Sequence, residues 1–228
     1  MTFESTDPDR HYEIGVGTAL GGWDLLGQGF GWRMGSRIDD AMKELQGDRE
    51  KGDRQVDVVG FSRGGIEAIE FVSRVAIAFP DEKIRFVGLF DPVGSVGAPG
   101  CFAGYRTQLP ACVRYSAEAL AQDEDRAFFP ETQVNAKAKQ WFRGTHSDIG
   151  GGWSNHELSD WVLQWMIQQA QSCGVGINLS ALKSMYGWVP NENGPINQNH
   201  GLMTLFPARR SIYGSYSLGD YFTQACVP

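Results

Sequence analysis

The stretch Val56-Asp57-Val58-Val59-Gly60-Phe61-Ser62-Arg63-Gly64-Gly65-Ile66 decides how this chain folds. Its first half is short, β-branched and apolar, bounded by the charged residues 47–54 before it and by glycines after it. That is the composition of a buried parallel strand. Beyond it, Ile66, Ile69, Val72, Val75, Ala76 and Phe79 return at helical spacing until Pro80 stops the pattern. A second apolar run, Ile84 to Phe90, then ends at Asp91-Pro92-Val93-Gly94. Strand, helix and strand with short joins predict a βαβ unit, and with it an α/β fold built on a mainly parallel sheet with helices on both faces.

Working outward, Tyr12 to Val16 reads as an earlier strand and residues 36–46, with Ile38, Met42 and Leu45, as a helix. Downstream, Lys139 to Arg143 reads as a strand. Leu158, Trp161, Val162, Trp165, Met166 and Ala170 form a wide helical stripe ending near Gly174, and Ser154-Asn155-His156-Glu157 has the form of a capping box ahead of it. From 175 onward the chain is rich in turn residues and is predicted irregular. No internal repeat or domain boundary is apparent, so the 228 residues are expected to form one domain.

Twenty Lys and Arg against 27 Asp and Glu leave a net charge of −7. An acidic chain has no electrostatic footprint for nucleic acid and is not a polybasic membrane binder. No run of 18 apolar residues occurs, so no spanning helix is expected. The polar, acidic opening Met1 to Arg10 does not have the form of a secretory signal peptide, which predicts synthesis in the cytoplasm. Cys101, Cys112, Cys173 and Cys226 show no zinc-ligand spacing. Free thiols are the expectation, with a Cys101–Cys112 bridge left open.

Gly60-Phe61-Ser62-Arg63-Gly64 is the single G-x-S-x-G of the chain, and it falls where a predicted strand meets a predicted helix. A nucleophile elbow needs that placement. The serine sits in a strained turn, and the glycines two before and two after it let helix and strand approach without Cβ clashes. The Arg63 N–H, at the helix start, is the expected oxyanion donor. A glycine-rich turn that merely happens to carry a serine is the plain alternative. A serine hydroxyl needs a base, and the base an orienting carboxylate. Of four histidines, His11 precedes the first strand, His200 lies in a polar loop, and His156 resembles part of a helix cap. His146 follows a predicted strand inside a glycine-flanked loop and is the chosen base. Asp91, ending a predicted strand at the carboxyl edge of the sheet, is the chosen acid. Asp148 is the competitor, better placed to pin the glycine-rich loop than to orient His146.

Together these segments resemble the α/β-hydrolase family that includes the phospholipase effectors of the bacterial type VI secretion system and many uncharacterised relatives. The residues that carry the resemblance are Gly15-Val16-Gly17-Thr18, Gly60 to Gly64, Phe90-Asp91-Pro92-Val93-Gly94-Ser95 and Trp141 to Trp153. Ala121 to Arg126, Phe128-Phe129-Pro130 and Leu158-Ser159-Asp160 add to it, so that it spans roughly residues 12–172. The resemblance implies a triad of Ser62, Asp91 and His146, ester hydrolysis without metal or cofactor, and a lipid or phospholipid substrate. It also implies transient contact with a membrane surface, an immunity or secretion-apparatus partner, and delivery outside the cell.

Family members carry an Asp-Gly-Thr sequence ahead of the segment seen here at 15–18; this chain has none there. A second oxyanion donor is then expected from Gly15 to Gly22, the Gly17 N–H first, or from elsewhere. Trp23, Phe30, Trp32 and Trp153 could line an acyl pocket, although aromatics more often serve the core. Two rival readings stand beside the lipid hydrolase: a small-ester esterase or thioesterase, and a catalytically weak binding or delivery module.

Overall fold

The computed structural model describes residues 29–94, 104–198 and Arg210. The expected βαβ unit is present with nearly the expected bounds: β1 is Val56–Phe61, α2 is Arg63–Ala78 and β2 is Ile84–Phe90. The helix expected over 36–46 is longer, running from Gly29 to Lys51 (α1). Its first turns carry Gly29, Gly31 and Gly35, poor helix formers that hide it from a propensity reading. Tertiary packing overrides that preference, because Met34, Ile38 and Leu45 bury one stripe of α1 in the core shared with α2. Gly52, at φ 93°, ends the helix, and the Asp53 N–H closes back on the Asp48 carbonyl at 3.0 Å.

Two further strands follow, β3 at Val113–Ala121 and β4 at Ala138–Phe142. The second corresponds to the strand expected near Lys139. The first escapes the periodicity reading because Arg114 and Glu118 interrupt its apolar pattern. The four strands lie in chain order, β1-β2-β3-β4, and every neighbouring pair is parallel. Their carboxyl ends therefore share one edge, with Phe61 opposite Phe90 and Ala121 opposite Phe142. One expectation is corrected here. β1 pairs only with β2 among the described residues and leaves Val59 61% exposed, so it is an edge strand of the described sheet rather than a fully buried one.

Two more helices complete the layering, a short α3 at His146–Gly150 and α4 at Glu157–Ser172. One face of the sheet packs under α1 and α2 through Ile66, Ile69, Val72, Val87 and Leu89. The other packs under α4, where Val162, Met166 and Ala170 meet Phe86, Ala117 and Ala119. Small residues on this second face let α4 come close. A Cβ on Gly88 would stand 2.9 Å from the Phe86 ring and 3.0 Å from the Met166 sulfur. The result is a three-layer α/β fold.

The capping box expected at Ser154 to Glu157 is not there. His156 occupies the N-cap of α4 and its Nδ1 is 2.7 Å from Asp160 Oδ2, while the Asn155 side chain accepts the Glu157 N–H at 3.2 Å. Asn155 can reach that amide from one residue closer, so Ser154 has no free donor to cap. The tail expected to be irregular from 175 onward contains α5, Leu179–Tyr186. Among the described residues Cys112 and Cys173 are free thiols, and no helix is long and apolar enough to cross a membrane. Cys101, Cys226 and the strand expected over Tyr12 to Val16 lie outside the described residues.

Candidate active site

Ser62 stands between β1 and α2 with φ 57° and ψ −125°, a backbone conformation that L-residues other than glycine seldom adopt. Strain of this kind costs about 1–3 kcal/mol and persists only where the surroundings over-determine it. The surroundings here do. The Ser62 N–H donates to the Phe90 carbonyl at 3.0 Å, and its own carbonyl accepts the Val93 and Gly65 N–H groups at 3.1 and 3.0 Å. Of the two glycines expected to be needed for space, Gly60 is, since a Cβ there would lie 2.3 Å from the Gly64 carbonyl oxygen. A Cβ on Gly64 would meet nothing within 4 Å, and it is Gly65, where a Cβ would lie 2.9 Å from Pro92 Cβ, that the packing requires. Arg63 is the first residue of α2, so its N–H belongs to the helix start that faces the serine.

Asp91 extends from the end of β2 and is fully buried. Its backbone also turns to positive φ, 42°, and its N–H donates to the Ala119 carbonyl at 2.7 Å. His146 opens α3, four residues past β4. The three side chains meet at the shared edge of the sheet. His146 Nε2 is 2.8 Å from Ser62 Oγ, and His146 Nδ1 is 2.6 Å from Asp91 Oδ2. The contact with Asp91 places the imidazole proton on Nδ1, which leaves Nε2 free to accept the serine proton.

The histidine is held on every side. Its backbone N–H donates to Glu124 Oε2 at 3.1 Å. Its ring lies between Phe61, with centroids 4.6 Å apart, and Phe129, at 5.0 Å and edge-on. Glu124 is anchored in turn by Arg126, whose guanidinium pairs with both carboxylate oxygens at 2.7 and 2.8 Å and lies 3.7 Å over the Phe129 ring. Although burial opposes it, Arg126 holds the Glu124 carboxyl below the usual range, so the group stays a charged acceptor.

Asp148, weighed as a competitor for the acid, instead bonds the loop around it. It does not touch the imidazole of His146; its Oδ2 accepts the Thr145 N–H and hydroxyl at 2.9 and 3.1 Å, and its Oδ1 accepts the Asn197 amide at 2.6 Å. Gly144, at φ 122°, makes room for it, since a Cβ there would lie 2.6 Å from that of Asp148. The loop carrying His146 is therefore pinned from below.

Sequence reasoning missed one group outright. The Arg210 guanidinium reaches Asp91 Oδ1 at 2.5 Å, and nothing in the local sequence of the tail points to it. Asp91 Oδ1 also accepts the Ala121 N–H at 3.0 Å. Complete burial alone would raise the Asp91 carboxyl; the positive charge of Arg210 and the hydrogen bond to His146 overcome that and hold it below the usual carboxylate range.

Gly17 and Trp23, expected as the second oxyanion donor and a pocket wall, lie outside the described residues. Trp153 is half-buried just after the glycine pair 151–152 and lines neither of two clefts formed by described residues. One of them, of about 350 Å³, lies between Met34, Glu70, Arg74 and Tyr105, and Ser62, Asp91 and His146 do not line it. Among the described residues no group of three or more His, Cys, Asp or Glu side chains is arranged to hold a metal.

Residues 73–169 match the family model described as the catalytic domain of Tle1-like phospholipase effectors of the type VI secretion system. Two residues of the constellation, Asp91 and His146, lie inside the matched segment, and Ser62 stands ahead of it. Among solved structures, the chain is similar to a Tle1 effector bound to the VgrG spike of the type VI secretion system, at 24% identity over 53% of this chain, with a TM-score of 0.43. It is also similar to an uncharacterised protein from Pseudomonas aeruginosa, at 22% identity over 68% of this chain, with a TM-score of 0.46. The chain spans about a third of the length of each of these two, 31% and 30%. No curated protein matches it.

Proposed function

We propose that the chain is a serine hydrolase that cleaves carboxylic esters through an acyl-enzyme on Ser62. The observation that carries this reading is the unbroken line of hydrogen bonds from Ser62 Oγ through His146 to a buried, ionised Asp91. Ser62 Oγ attacks the ester carbonyl as His146 Nε2 takes its proton, and Asp91 stabilises the imidazolium that forms. The oxyanion develops toward the start of α2, where the Arg63 N–H is the proposed donor. Collapse expels the alcohol, protonated by His146, and leaves the acyl group on Ser62. A water that gives its proton to His146 then releases the acid and restores the serine.

The Tle1-like match supports a lipid or phospholipid ester as the substrate, in contact with a membrane surface. The likeness to an effector described as bound to VgrG adds a secretion-apparatus partner and delivery out of the cell to the proposal. A fluorophosphonate probe tests the chemistry directly. Labelling of the wild type that is lost in Ser62→Ala supports the nucleophile, and an unlabelled wild type refutes it. Phospholipid vesicles compared with short-chain p-nitrophenyl esters then separate a lipid hydrolase from a small-ester esterase.

A further inference from the structure

We infer that Arg210 is a positioning residue of this site, clamping both flanks of the His146 imidazole and supplying the charge that keeps Asp91 in its working form. The inference rests on the hydrolase reading and deepens it.

The clamp is visible in the contacts of one guanidinium. Nη1 donates to Asp91 Oδ1 at 2.5 Å and to the Ala121 carbonyl at 3.3 Å. Nε and Nη2 both donate to the Phe129 carbonyl, at 3.0 and 2.5 Å. Asp91 faces one ring nitrogen of His146 and Phe129 packs edge-on against the same ring. Arg210 thus ties together two of the residues that hold the imidazole, Asp91 and Phe129. The arrangement spans 119 residues of sequence, and it is buried, with the Arg210 side chain 1% and that of Asp91 0% exposed.

A carboxylate removed from water in this way carries a desolvation penalty that favours its neutral form. The neighbouring charges decide the outcome. Glu131 Oε2, 3.9 Å from Arg210 Nε, and the buried Glu118 both act against ionisation of Asp91; Glu124, paired with Arg126, lies on the backbone side of His146. Arg210 is the cation in contact with Asp91. A neutral Asp91 would no longer stabilise an imidazolium, and a misoriented one would not hold the Nδ1 proton.

The test uses the full-length chain with Arg210→Met and Arg210→Lys. An opposite charge in contact moves a carboxyl by about 1–3 pH units. Its removal is therefore expected to move the acid limb of kcat/KM upward by about one unit or more, which is a tenfold or greater loss below the limb, with KM unchanged. Arg210→Lys keeps the charge but loses the fork, so its acid limb should stay near that of the wild type while kcat falls. A limb that does not move in Arg210→Met, or one that moves equally in both variants, overturns the inference. A readout that needs no turnover is the downfield Nδ1–H proton resonance of His146, which the contact with Asp91 produces and which is expected to broaden or move upfield in Arg210→Met and to persist in Arg210→Lys. That resonance keeps the inference testable if the wild type fails to react with the fluorophosphonate and the hydrolase reading itself falls. If Arg210→Met does not fold, the lysine variant decides: a limb displaced upward by a unit, with the charge retained, refutes it.

Discussion

Replacing Glu118 with glutamine removes a carboxylate that the fold buries completely in the middle of β3. Lys139 Nζ lies 2.9 Å from Oε2, but Oε1 has no hydrogen-bond partner among the described residues. Burial, only partly offset by Lys139 and reinforced by the charges of Asp91 and Glu131, pushes the Glu118 carboxyl up from 4.5 to about 7. The folded protein then keeps a proton there that the unfolded chain releases. Its stability is accordingly highest below about pH 4.5 as far as this group is concerned, falls as the pH rises toward about 7, and levels off above. From 4.5 to about 7 is some 2.5 units, which at 1.36 kcal/mol per unit is about 3 kcal/mol. Glutamine has the same shape and stays neutral, so Glu118→Gln should match the wild type near about pH 4 and exceed it by up to about 3 kcal/mol near about pH 8. Glu131, also raised mainly by its burial, and Asp91, held low, act in both proteins and cancel in the difference. Urea unfolding midpoints across that range, at constant m-value, measure it. Curves that run parallel for the two proteins would refute the burial argument.

Four further outcomes follow from the site. Asp91→Asn should lower kcat about 10⁴-fold, read from ester turnover, because the wrong imidazole tautomer is then favoured. Its thermal unfolding curve should show a cost of about 3–5 kcal/mol, since Arg210 is left a buried cation without its counter-charge. Gly60→Ala places a Cβ 2.3 Å from the Gly64 carbonyl, which cannot yield, and should cost at least about 3 kcal/mol in chemical denaturation. Gly150→Ala brings a Cβ to 2.2 Å from the Phe61 ring, which also flanks His146; here kcat should drop along with about 1–3 kcal/mol of stability. Asp148→Ala leaves the Thr145 and Asn197 donors unmatched and should cost about 1–3 kcal/mol, with faster amide exchange confined to the 144–150 loop.

The parts of this molecule that could be read from sequence are those whose signal is local. β1, α2 and β2 each announce themselves by composition and period, and the G-x-S-x-G at their junction shows why Gly60 is needed, whereas the crowding at Gly65, just past the pentapeptide, appears only once α2 meets Pro92. Ser62, Asp91 and His146 were reachable because each ends a strand or follows one closely, where α/β sites gather. β3 was not, because its pattern is broken by Glu118, a residue that a strand buried on both faces normally excludes. α5 was hidden by the turn residues around it. Arg210 lies in no motif and no periodic segment; its meaning exists only once a tail residue has been brought against the end of β2. Glu124 and Phe129 fall between these cases, since the family resemblance singled out their segment without assigning either a task.

Because β1, β2, β3 and β4 stand side by side in chain order, a ribosome delivers the parts of the site to one edge in sequence. Ser62 arrives first, then Asp91, then the Ala121 amide, then His146, each at or just past the end of one of these strands. Arg210 comes 119 residues after the carboxylate it neutralises. On the inference drawn above, a nascent chain that already holds serine, histidine and aspartate still has an uncompensated buried acid and no competent base. On the proposed hydrolase reading, the nucleophile then gains its activity only once the segment carrying Arg210 has been made, 119 residues after Asp91.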